Sequence, residues 1–255
     1  MSTILHDSPI YGPIHSRRLG LSLGINLMPA DGKICTFDCL YCECGFNADR
    51  RPKSHSPSRK DVLRALEQRL VMMEQEGELP DVMTFAGNGE PTTHKEFPEI
   101  IDDVISLRDR LCPSTKISVL SNATFVHDTA IRAALMKVDN NIQKLDTVNE
   151  DYIRRVDRPT GHSFSVGKVI NNLKLFGGHV IIQTMFMQGN DSDNTNDFYV
   201  EPWLKVLEEI RPQSVMIYTI DRETPDHGLK KVSREKLDAI CSRVHEIGIP
   251  CTASY

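Results

Sequence analysis

The sequence contains no long apolar run and no large excess of charge of one sign. No stretch approaches the roughly 20 consecutive apolar residues that a membrane-spanning helix needs. The opening stretch MSTILHDSPIYGP lacks the apolar core of a secretory signal. Lys and Arg together number 30 and Asp and Glu 35, so the formal net charge of −5 points to neither nucleic acid nor an acidic membrane.

A disulfide framework is also missing. The seven cysteines are odd in number, none precedes position 35, and four of them lie within ten positions of one another. Cysteines clustered in this way indicate a reducing compartment and metal or redox chemistry, so we expect a cytoplasmic protein. With 255 residues the chain buries a core without disulfides. We expect one domain over residues 1–255, with an N-terminal segment 1–18 and a short C-terminal extension 249–255.

From residue 60 onward, strand patterns alternate with helix patterns. DVLRALEQRLVMM places its apolar residues on one helical face, with Ser58 as a cap and Gly77 as a stop. Pro113 ends the next helix, which begins near Phe97. Further helices are expected around 128–137, 164–176, 202–210 and 233–247, and Pro202 is placed near the start of its helix. A strand precedes each helix: LSLGINL, DVMTFA, KISVL, NIQKL, HVIIQTMF and SVMIYTI.

These six βα units predict an α/β fold with a parallel sheet and right-handed crossovers. Eight units would close a full barrel, so six predict a partial (β/α)6 barrel; a doubly wound open sheet is the alternative. Polar stretches follow the strands: GNGEPT, SNAT, Lys144 with Asp146, MQGND and DRETPDH. Because loops after parallel strands line one face, these stretches should meet in one mouth together with the cysteines.

Three of the clustered cysteines have the spacing C-x3-C-x2-C: Cys35, Cys39 and Cys42. Three thiolates can hold three irons of a [4Fe–4S] cube and leave the fourth iron open to a small molecule. Zinc is an alternative, with His55 completing a Cys3His site, although structural zinc sites usually use two separated pairs of ligands. A ferredoxin-type cluster would require a fourth cysteine in the run.

The cysteine spacing, with the aromatic Tyr41 before the last cysteine, resembles the signature of the radical SAM superfamily. A second stretch, GNGEP at residues 87–91, looks like the GGEP motif of that superfamily with Asn88 in its second position. The resemblance runs from about Leu19 to about Tyr218. It implies a partial (β/α)6 barrel that binds a [4Fe–4S] cluster and S-adenosylmethionine. In that family the reduced cluster cleaves the sulfonium, and the 5′-deoxyadenosyl radical removes hydrogen from a substrate. The implied cluster ligands are Cys35, Cys39 and Cys42.

The same resemblance implies a cofactor-binding set. Glu90 and backbone carbonyls of the GNGE stretch suit the ammonium group, and the glycines allow close approach. Ser121 and Asn122 suit the ribose or carboxylate, with an ordinary Asx or Ser turn as the alternative. Lys144 and Asp146 lie two residues apart on a predicted strand and should face the same side. In pyruvate formate-lyase activating enzymes a lysine in this region pairs with the methionine carboxylate. Lys144 is one candidate for that role, and Arg158 is a second. The full expected set is Tyr41, Gly87, Asn88, Gly89, Glu90, Ser121, Asn122, Lys144 and Asp146.

The stretches GPIHSRRLGLSLGINLMP, SNAT, RP and QGND resemble short proteins grouped with the tRNA wyosine synthases. The characterised wyosine enzymes carry a second cysteine set before the radical SAM motif, and this chain has none there. The substrate therefore stays unassigned, with tRNA or a protein, including glycyl-radical activation, as candidates. The electron donor implied is flavodoxin or ferredoxin, and a non-enzymatic Fe–S or zinc protein is the alternative.

Substrate contacts are expected toward the second half of the chain, after the fifth and sixth strands. The basic segment RRPKSHSPSRK is a further candidate surface, against the alternative of a solvated loop. No second cluster motif is visible, and Cys44, Cys112, Cys241 and Cys251 receive no role. The candidate substrate residues are Asn190, Asp191, Asp221, Arg222 and His227, with His15, Arg17 and Arg18 as weaker candidates.

Overall fold

The computed structural model describes residues 4–16, 19–189 and 191–255. Arg17, Arg18 and Asn190, which we named as candidate substrate contacts, lie outside these residues. The described part contains an eight-stranded sheet and a small two-stranded sheet formed by β7 and β9. The strands are β1 (Ile10–Ser16), β2 (Gly20–Ile25), β3 (Val82–Phe85), β4 (Lys116–Ser121), β5 (Asn140–Lys144), β6 (Ile181–Met185), β7 (Gln188–Gly189), β8 (Ser214–Tyr218), β9 (Leu229–Lys230) and β10 (Cys251–Ser254).

The helices join these strands, and a single 3-10 turn spans Pro91–Thr93. Among the described helices, none is both long and apolar enough to cross a membrane. The helices are α1 (Arg59–Glu76), α2 (Phe97–Leu111), α3 (Thr129–Leu135), α4 (Glu150–Val156), α5 (Val166–Lys174), α6 (Asp197–Ile210) and α7 (Arg234–Glu246).

The order of the large sheet is β1-β2-β3-β4-β5-β6-β8-β10. Among the described residues, the pairing of β1 with β2 in this sheet is antiparallel and its other pairings are parallel. The small sheet pairs β7 with β9 antiparallel. The six predicted strands thus lie side by side in chain order. In a doubly wound sheet the order of the strands would reverse at an early strand. The doubly wound alternative is therefore wrong, and the partial barrel is confirmed.

The predicted helix starting at Pro202 is wrong in its boundary. α6 begins five residues earlier, because the side chain of Asn196 accepts a hydrogen bond from the Phe198 backbone N–H (3.1 Å) and caps the helix. Pro202 then lies inside α6 and removes one backbone donor. Val200 and Trp203 are buried on either side of it, so packing against the core holds the helix together.

Alternate residues along the central strands face the helices and form the main core. Leu23 and Ile25 of β2, for example, are fully buried and belong to the same cluster as Leu66 and Leu70 of α1. A second, smaller cluster lies at the carboxyl ends of the strands and contains Phe37, Cys39, Tyr41, Tyr152, Val156, Met185 and Met187. The second cluster therefore places the cysteine-bearing segment at the predicted mouth.

Candidate functional site

The cysteines lie in the loop after β2, which we call the cysteine loop (residues 33–46). Its backbone is fastened to the end of α4. The N–H of Leu40 donates to the carbonyl of Val156 (2.9 Å), and the N–H of Asp38 donates to the carbonyl of Asp157 (3.0 Å). The last carbonyls of a helix have no partner within it, so the end of α4 is a ready acceptor for this loop.

The cysteine loop is also joined to the segment after β3, which we call the GNG loop (residues 87–90). The N–H of Ile34 donates to the carbonyl of Asn88 (3.0 Å), and the N–H of Glu90 donates to the carbonyl of Ile34 (2.9 Å). A Cβ on Gly89, whose φ is 137°, would lie 1.8 Å from the Ile34 carbonyl oxygen. Only glycine allows this approach, so the two predicted motifs form one unit.

Among residues 87–90, one carbonyl stands apart. The carbonyl of Gly87 accepts from Gly89 and Cys44, that of Asn88 accepts from Ile34, and that of Glu90 accepts from Thr93. Within the described residues, no hydrogen bond to the carbonyl of Gly89 is found. This carbonyl is therefore available to a donor from a ligand.

The three predicted cluster ligands pack together. Cys39 is buried, and Cys35 and Cys42 are partly buried within the same cluster as Phe37 and Tyr41. Burial raises the pKa of Cys35 to about 12 and raises that of Cys39 well above its usual range. The interaction with the neighbouring Cys44 side chain lowers the pKa of Cys42 to about 6.

A buried amine lies beside these thiols. Nζ of Lys33 donates to the carbonyl of Gly45 (2.7 Å) and lies 3.6 Å from Oδ1 of Asp38. Burial alone would lower the pKa of Lys33, but the neighbouring charges of Cys42, Cys35 and Cys39 raise it on balance. Lys33 therefore supplies positive charge where thiolates are needed.

The chemistry of the donor set, three neighbouring thiols, suits an iron–sulfur cube. Within the residues that the structure describes, no three His, Cys, Asp or Glu side chains are grouped to hold one metal ion. A [4Fe–4S] cube binds each thiolate through a different iron, so its ligands must be neighbours without converging on one point. Cys35, Cys39 and Cys42, on one loop and beside one buried cation, meet that requirement.

Glu90, predicted to bind an ammonium group, is 2% exposed and already holds two loops together. Oε1 accepts from the backbone N–H (3.1 Å) and hydroxyl (2.5 Å) of Thr92, and Oε2 accepts from the N–H of Asn122 (2.6 Å). Burial raises the pKa of Glu90, and the hydrogen bonds from Thr92 oppose that rise. Contact with a ligand at this residue stays a prediction.

Asn122 reaches the cysteine loop. Its Nδ2 donates to the hydroxyl of Thr36 (2.8 Å) and lies 3.6 Å from Sγ of Cys35. The hydroxyl of Ser121 accepts from the N–H of Ala123 (3.1 Å), as in the Ser turn that was the alternative prediction. Asn122 is thus beside the thiols, whereas Ser121 shapes the turn that positions it.

Lys144 is the last residue of β5, and Asp146 lies two residues beyond its end, so the prediction that both lie on the strand is wrong for Asp146. The two nevertheless form a buried charged group with two further residues. Nζ of Lys144 donates to Oδ2 of Asp146, to the hydroxyl of Tyr41 and to Oδ1 of Asp157, the last at 2.9 Å. The Tyr41 hydroxyl donates to Oδ2 of Asp146. We call these four residues the Lys144 cluster.

Burial and neighbouring charges shift pKa values within this cluster. Burial raises the pKa of Asp157 to about 7, although Lys144 acts to lower it. Burial acts to lower the pKa of Lys144 itself, but Asp146 and Asp157 raise it well above its usual range. Lys144 is therefore a cation enclosed by two carboxyl groups and a phenol. Its three N–H groups are donated to these partners, so none is left for the methionine carboxylate predicted to bind it.

Other candidate residues lie at the surface around the mouth. Arg158 packs over the ring of Phe46 (4.9 Å) and lies 3.4 Å from Oδ2 of Asp38. Arg222 forms an ion pair with Glu43 (2.6 Å), next to a cavity of about 50 Å³, and Asp221 lies 3.8 Å from Lys231. No described hydrogen bond or ion pair joins His15, Asp191 or His227 to the cysteine loop. The basic segment at residues 50–60 does touch that loop, because the carbonyl of Arg50 accepts from the N–H of Lys33 (2.7 Å), whereas Arg59 pairs with Asp103.

Sequence patterns did not reveal Lys33, Asn47 or Asp157 as part of the site. Asn47 donates to the carbonyls of Cys35 (3.3 Å) and Phe37 (3.1 Å) and so shapes the cysteine loop. Asp157 meets Tyr41 across 116 residues of chain. The polar run KICTFDC contains Lys33, but nothing in its spacing indicates burial.

Comparison with known proteins gives a family match over most of the chain. The model of the Radical SAM superfamily matches residues 31–198. A UPF0026 protein of Synechocystis sp. is 31% identical over 224 residues, which cover 85% of this chain and 77% of that protein. A protein of Brachyspira hyodysenteriae named GTPase Obg is 26% identical over 240 residues, which cover 92% of this chain but 33% of that protein.

Solved structures show the same fold at low sequence identity. A radical SAM methyltransferase from Sphaerobacter thermophilus superimposes with a TM-score of 0.70 at 15% identity, over 92% of this chain and 66% of that chain. TYW1 with a lysine–pyruvate adduct superimposes with a TM-score of 0.61 at 13% identity, over 88% of this chain and 73% of that chain. The chain thus spans between a third and about three quarters of these relatives.

Proposed function

The chain belongs to the radical SAM superfamily of enzymes, as its cysteine spacing predicts, and from this we propose that it binds a [4Fe–4S] cluster and S-adenosylmethionine. Cys35, Cys39 and Cys42 would hold the cluster. When bound and reduced, the cluster supplies one electron that cleaves S-adenosylmethionine to methionine and a 5′-deoxyadenosyl radical, which takes a hydrogen atom from an unassigned substrate. The protein's own residues hold, orient and enclose the reactants.

One observation carries this proposal: the cysteine loop and the GNG loop are joined into a single unit by the Ile34–Gly89 bridge. If an amino acid is to chelate the fourth iron, the cysteines that would hold the cluster and the residues that would bind the amino group must lie side by side. Gly89 sits against Ile34, one residue before Cys35, so the thiols and the GNG loop meet at one place. Separate roles for the two loops would not require this close approach.

The residues of the GNG loop suit the ammonium group. The Gly89 carbonyl is available as an acceptor, and the buried carboxyl of Glu90 lies next to it in the chain. A charge-assisted hydrogen bond to an ammonium group is stronger than one between neutral partners. Asn122, beside Cys35, is then placed to contact the carboxylate or ribose of the same molecule.

The Lys144 cluster provides a rigid wall at the mouth. Because Lys144 is enclosed by Asp146, Asp157 and Tyr41, it can reach a ligand carboxylate only by exchanging one of these partners. We propose that the exchanged partner is Asp157, whose Oδ1 accepts from Lys144 at 2.9 Å and whose pKa burial raises to about 7. We assign the cluster first to fixing Tyr41 beside Cys39 and Cys42, and a direct ligand contact by Lys144 second.

The partners proposed are a one-electron reductant, flavodoxin or ferredoxin, and a substrate that is either a tRNA or a protein. Clustered thiols of this kind persist in a reducing cytoplasm, which is the location we propose. Substrate residues would lie toward Asp221 and Arg222, where the loop after β8 meets Glu43 of the cysteine loop. In this proposal, substrate binding displaces Arg222 from Glu43.

The proposal is tested by reconstituting the protein with iron and sulfide without oxygen and reducing it with dithionite in the presence of S-adenosylmethionine. We expect about four irons per chain and slow formation of 5′-deoxyadenosine and methionine even without substrate, measured by mass spectrometry. Stoichiometric zinc without iron uptake would establish the zinc alternative. A cluster that binds S-adenosylmethionine but never cleaves it would leave a non-enzymatic Fe–S protein.

Replacing Glu90 by Gln should weaken binding of S-adenosylmethionine by an amount on the order of 1–3 kcal/mol, because a neutral amide replaces a charged acceptor. Titration of the reconstituted protein, with iron content measured in parallel, gives the affinity. Glu96→Gln is the control: Glu96 directly precedes α2, and its carboxylate accepts a long hydrogen bond from the N–H of Arg59 (3.4 Å). Equal affinities for the two variants would remove Glu90 from the binding site.

A further inference from the structure

Asn88 occupies the position where the superfamily motif has glycine, and its side chain is turned away from the thiols. It is 0% exposed. Its Oδ1 accepts from the backbone N–H of His6 (2.8 Å), and its Nδ2 donates to the backbone carbonyls of His6 (2.9 Å) and Pro29 (2.9 Å). The amide therefore pairs with His6 in the way that one strand pairs with another.

Asn26, at the end of β2, completes this fastening. Its Oδ1 accepts from the N–H of Asn88 (3.2 Å), and its Nδ2 donates to the carbonyl of Asp7 (3.1 Å). Gly87 passes so close that a Cβ there would lie 2.7 Å from Cγ of Asn26. Two buried asparagines thus join the GNG loop to the segment 4–8, which we call the strap.

The strap makes further contacts with the cysteine loop and with Tyr11 of β1. The N–H of Ile4 donates to the carbonyl of Glu43 in the cysteine loop (2.9 Å). The ring of His6 stacks on that of Tyr11 (4.3 Å between ring centres), and Tyr11 in turn covers Gly24 of β2. The strap therefore spans both loops that form the proposed site.

We propose that Asn88 is a positioning residue through which the strap fixes the GNG loop for S-adenosylmethionine. The inference rests on the proposed function, because it assigns the loop's carbonyls to the ammonium group. Gly87 and Gly89 have φ values of 133° and 137°, and glycine is free to leave such conformations. An acceptor held in place before binding costs less to order than a mobile one, so the strap raises affinity without touching the ligand.

The first test replaces Asn88 by Gly, the residue of the superfamily motif, in the full-length reconstituted protein. We expect faster amide hydrogen exchange in residues 4–8 and 87–90, and a Kd for S-adenosylmethionine raised about tenfold. Asn140→Ala is the control, since Asn140 donates to the hydroxyl of Ser118 (2.8 Å) on neighbouring strands and should change neither quantity.

The second test removes residues 1–8 and combines this deletion with Asn88→Gly. If Asn88 acts through the strap, the deletion should reproduce the weaker binding, and the double variant should be no worse than either single one. Additive losses would mean that Asn88 acts on the ligand itself, and an unchanged Kd after the deletion would overturn the role of the strap. If the wild type fails to bind S-adenosylmethionine, the proposed function fails, whereas hydrogen exchange still reports whether Asn88 fastens the strap.

Discussion

Replacing Cys35, Cys39 or Cys42 by Ala, one at a time, is expected to abolish stable iron uptake and all cleavage of S-adenosylmethionine. Each thiolate would hold a different iron of the cube, so the loss of one leaves two protein ligands for the whole cluster. Iron content, the visible absorption of the cluster and 5′-deoxyadenosine formation measure the effect. The wild type should hold about four irons per chain.

Two neighbouring cysteines provide the controls for this experiment. Cys44→Ala should retain iron, because the Cys44 thiol donates to the carbonyl of Gly87 (3.4 Å) and interacts with Cys42. Cys112→Ala should also retain iron, since Cys112 lies buried at the far end of α2. Loss of the cluster in Cys44→Ala, with retention in one of the three ligand variants, would show that the wrong thiols have been assigned.

Lys144→Met is expected to lower the free energy of unfolding by roughly 3–5 kcal/mol, because removing one partner of a buried ion pair leaves an uncompensated charge. Here Asp146 and Asp157 both lose their cation, and each is at most 3% exposed. Urea denaturation of the reduced, metal-free protein measures the change. Adding Asp157→Asn to the Lys144→Met variant should recover part of the loss, since one of the two stranded carboxyl groups is then neutral.

The control is Lys137→Met. Lys137 pairs with Asp102 at the surface, where both side chains are about half exposed, and exposed pairs contribute about 0–1 kcal/mol. If Lys144→Met costs no more than Lys137→Met, the Lys144 cluster does not hold the fold together. Its contacts in the folded protein would then need another explanation.

The repeating part of the fold could be predicted from the sequence because local pattern sets it. The six central strands and the predicted helices between them each carry their own apolar face, cap or stop, as in α1 with Ser58 and Gly77. β1 could not be found in this way: its segment IYGPIHS contains Gly and Pro, and it pairs antiparallel with β2 through a register shift. β10 is four residues long and depends on β8 for its place.

The same division applies to the candidate site. The thiols, the GNG loop and Asn122 could be predicted since spacing and position after a strand mark them. The partners that define their surroundings are set by contacts between distant parts of the chain, which no local pattern records. Asp157 meets Lys144 from the end of α4, a helix of only seven residues that periodicity did not reveal. Asn88 was placed at the ligand by its motif, whereas its side chain binds the backbone of His6.

The side-by-side order of β2, β3, β4, β5, β6 and β8 also bears on how the molecule is made. Domains generally begin to fold as the chain emerges from the ribosome, starting from the N-terminus. The contacts that enclose the thiols come from Asn88, Asn122, Lys144, Asp157 and Thr160, in that sequence. Each emerging unit can therefore dock on the one made just before it. One side of the thiol pocket would thus form early in synthesis, whereas Met185 and Met187, from the last third of the chain, would complete it later.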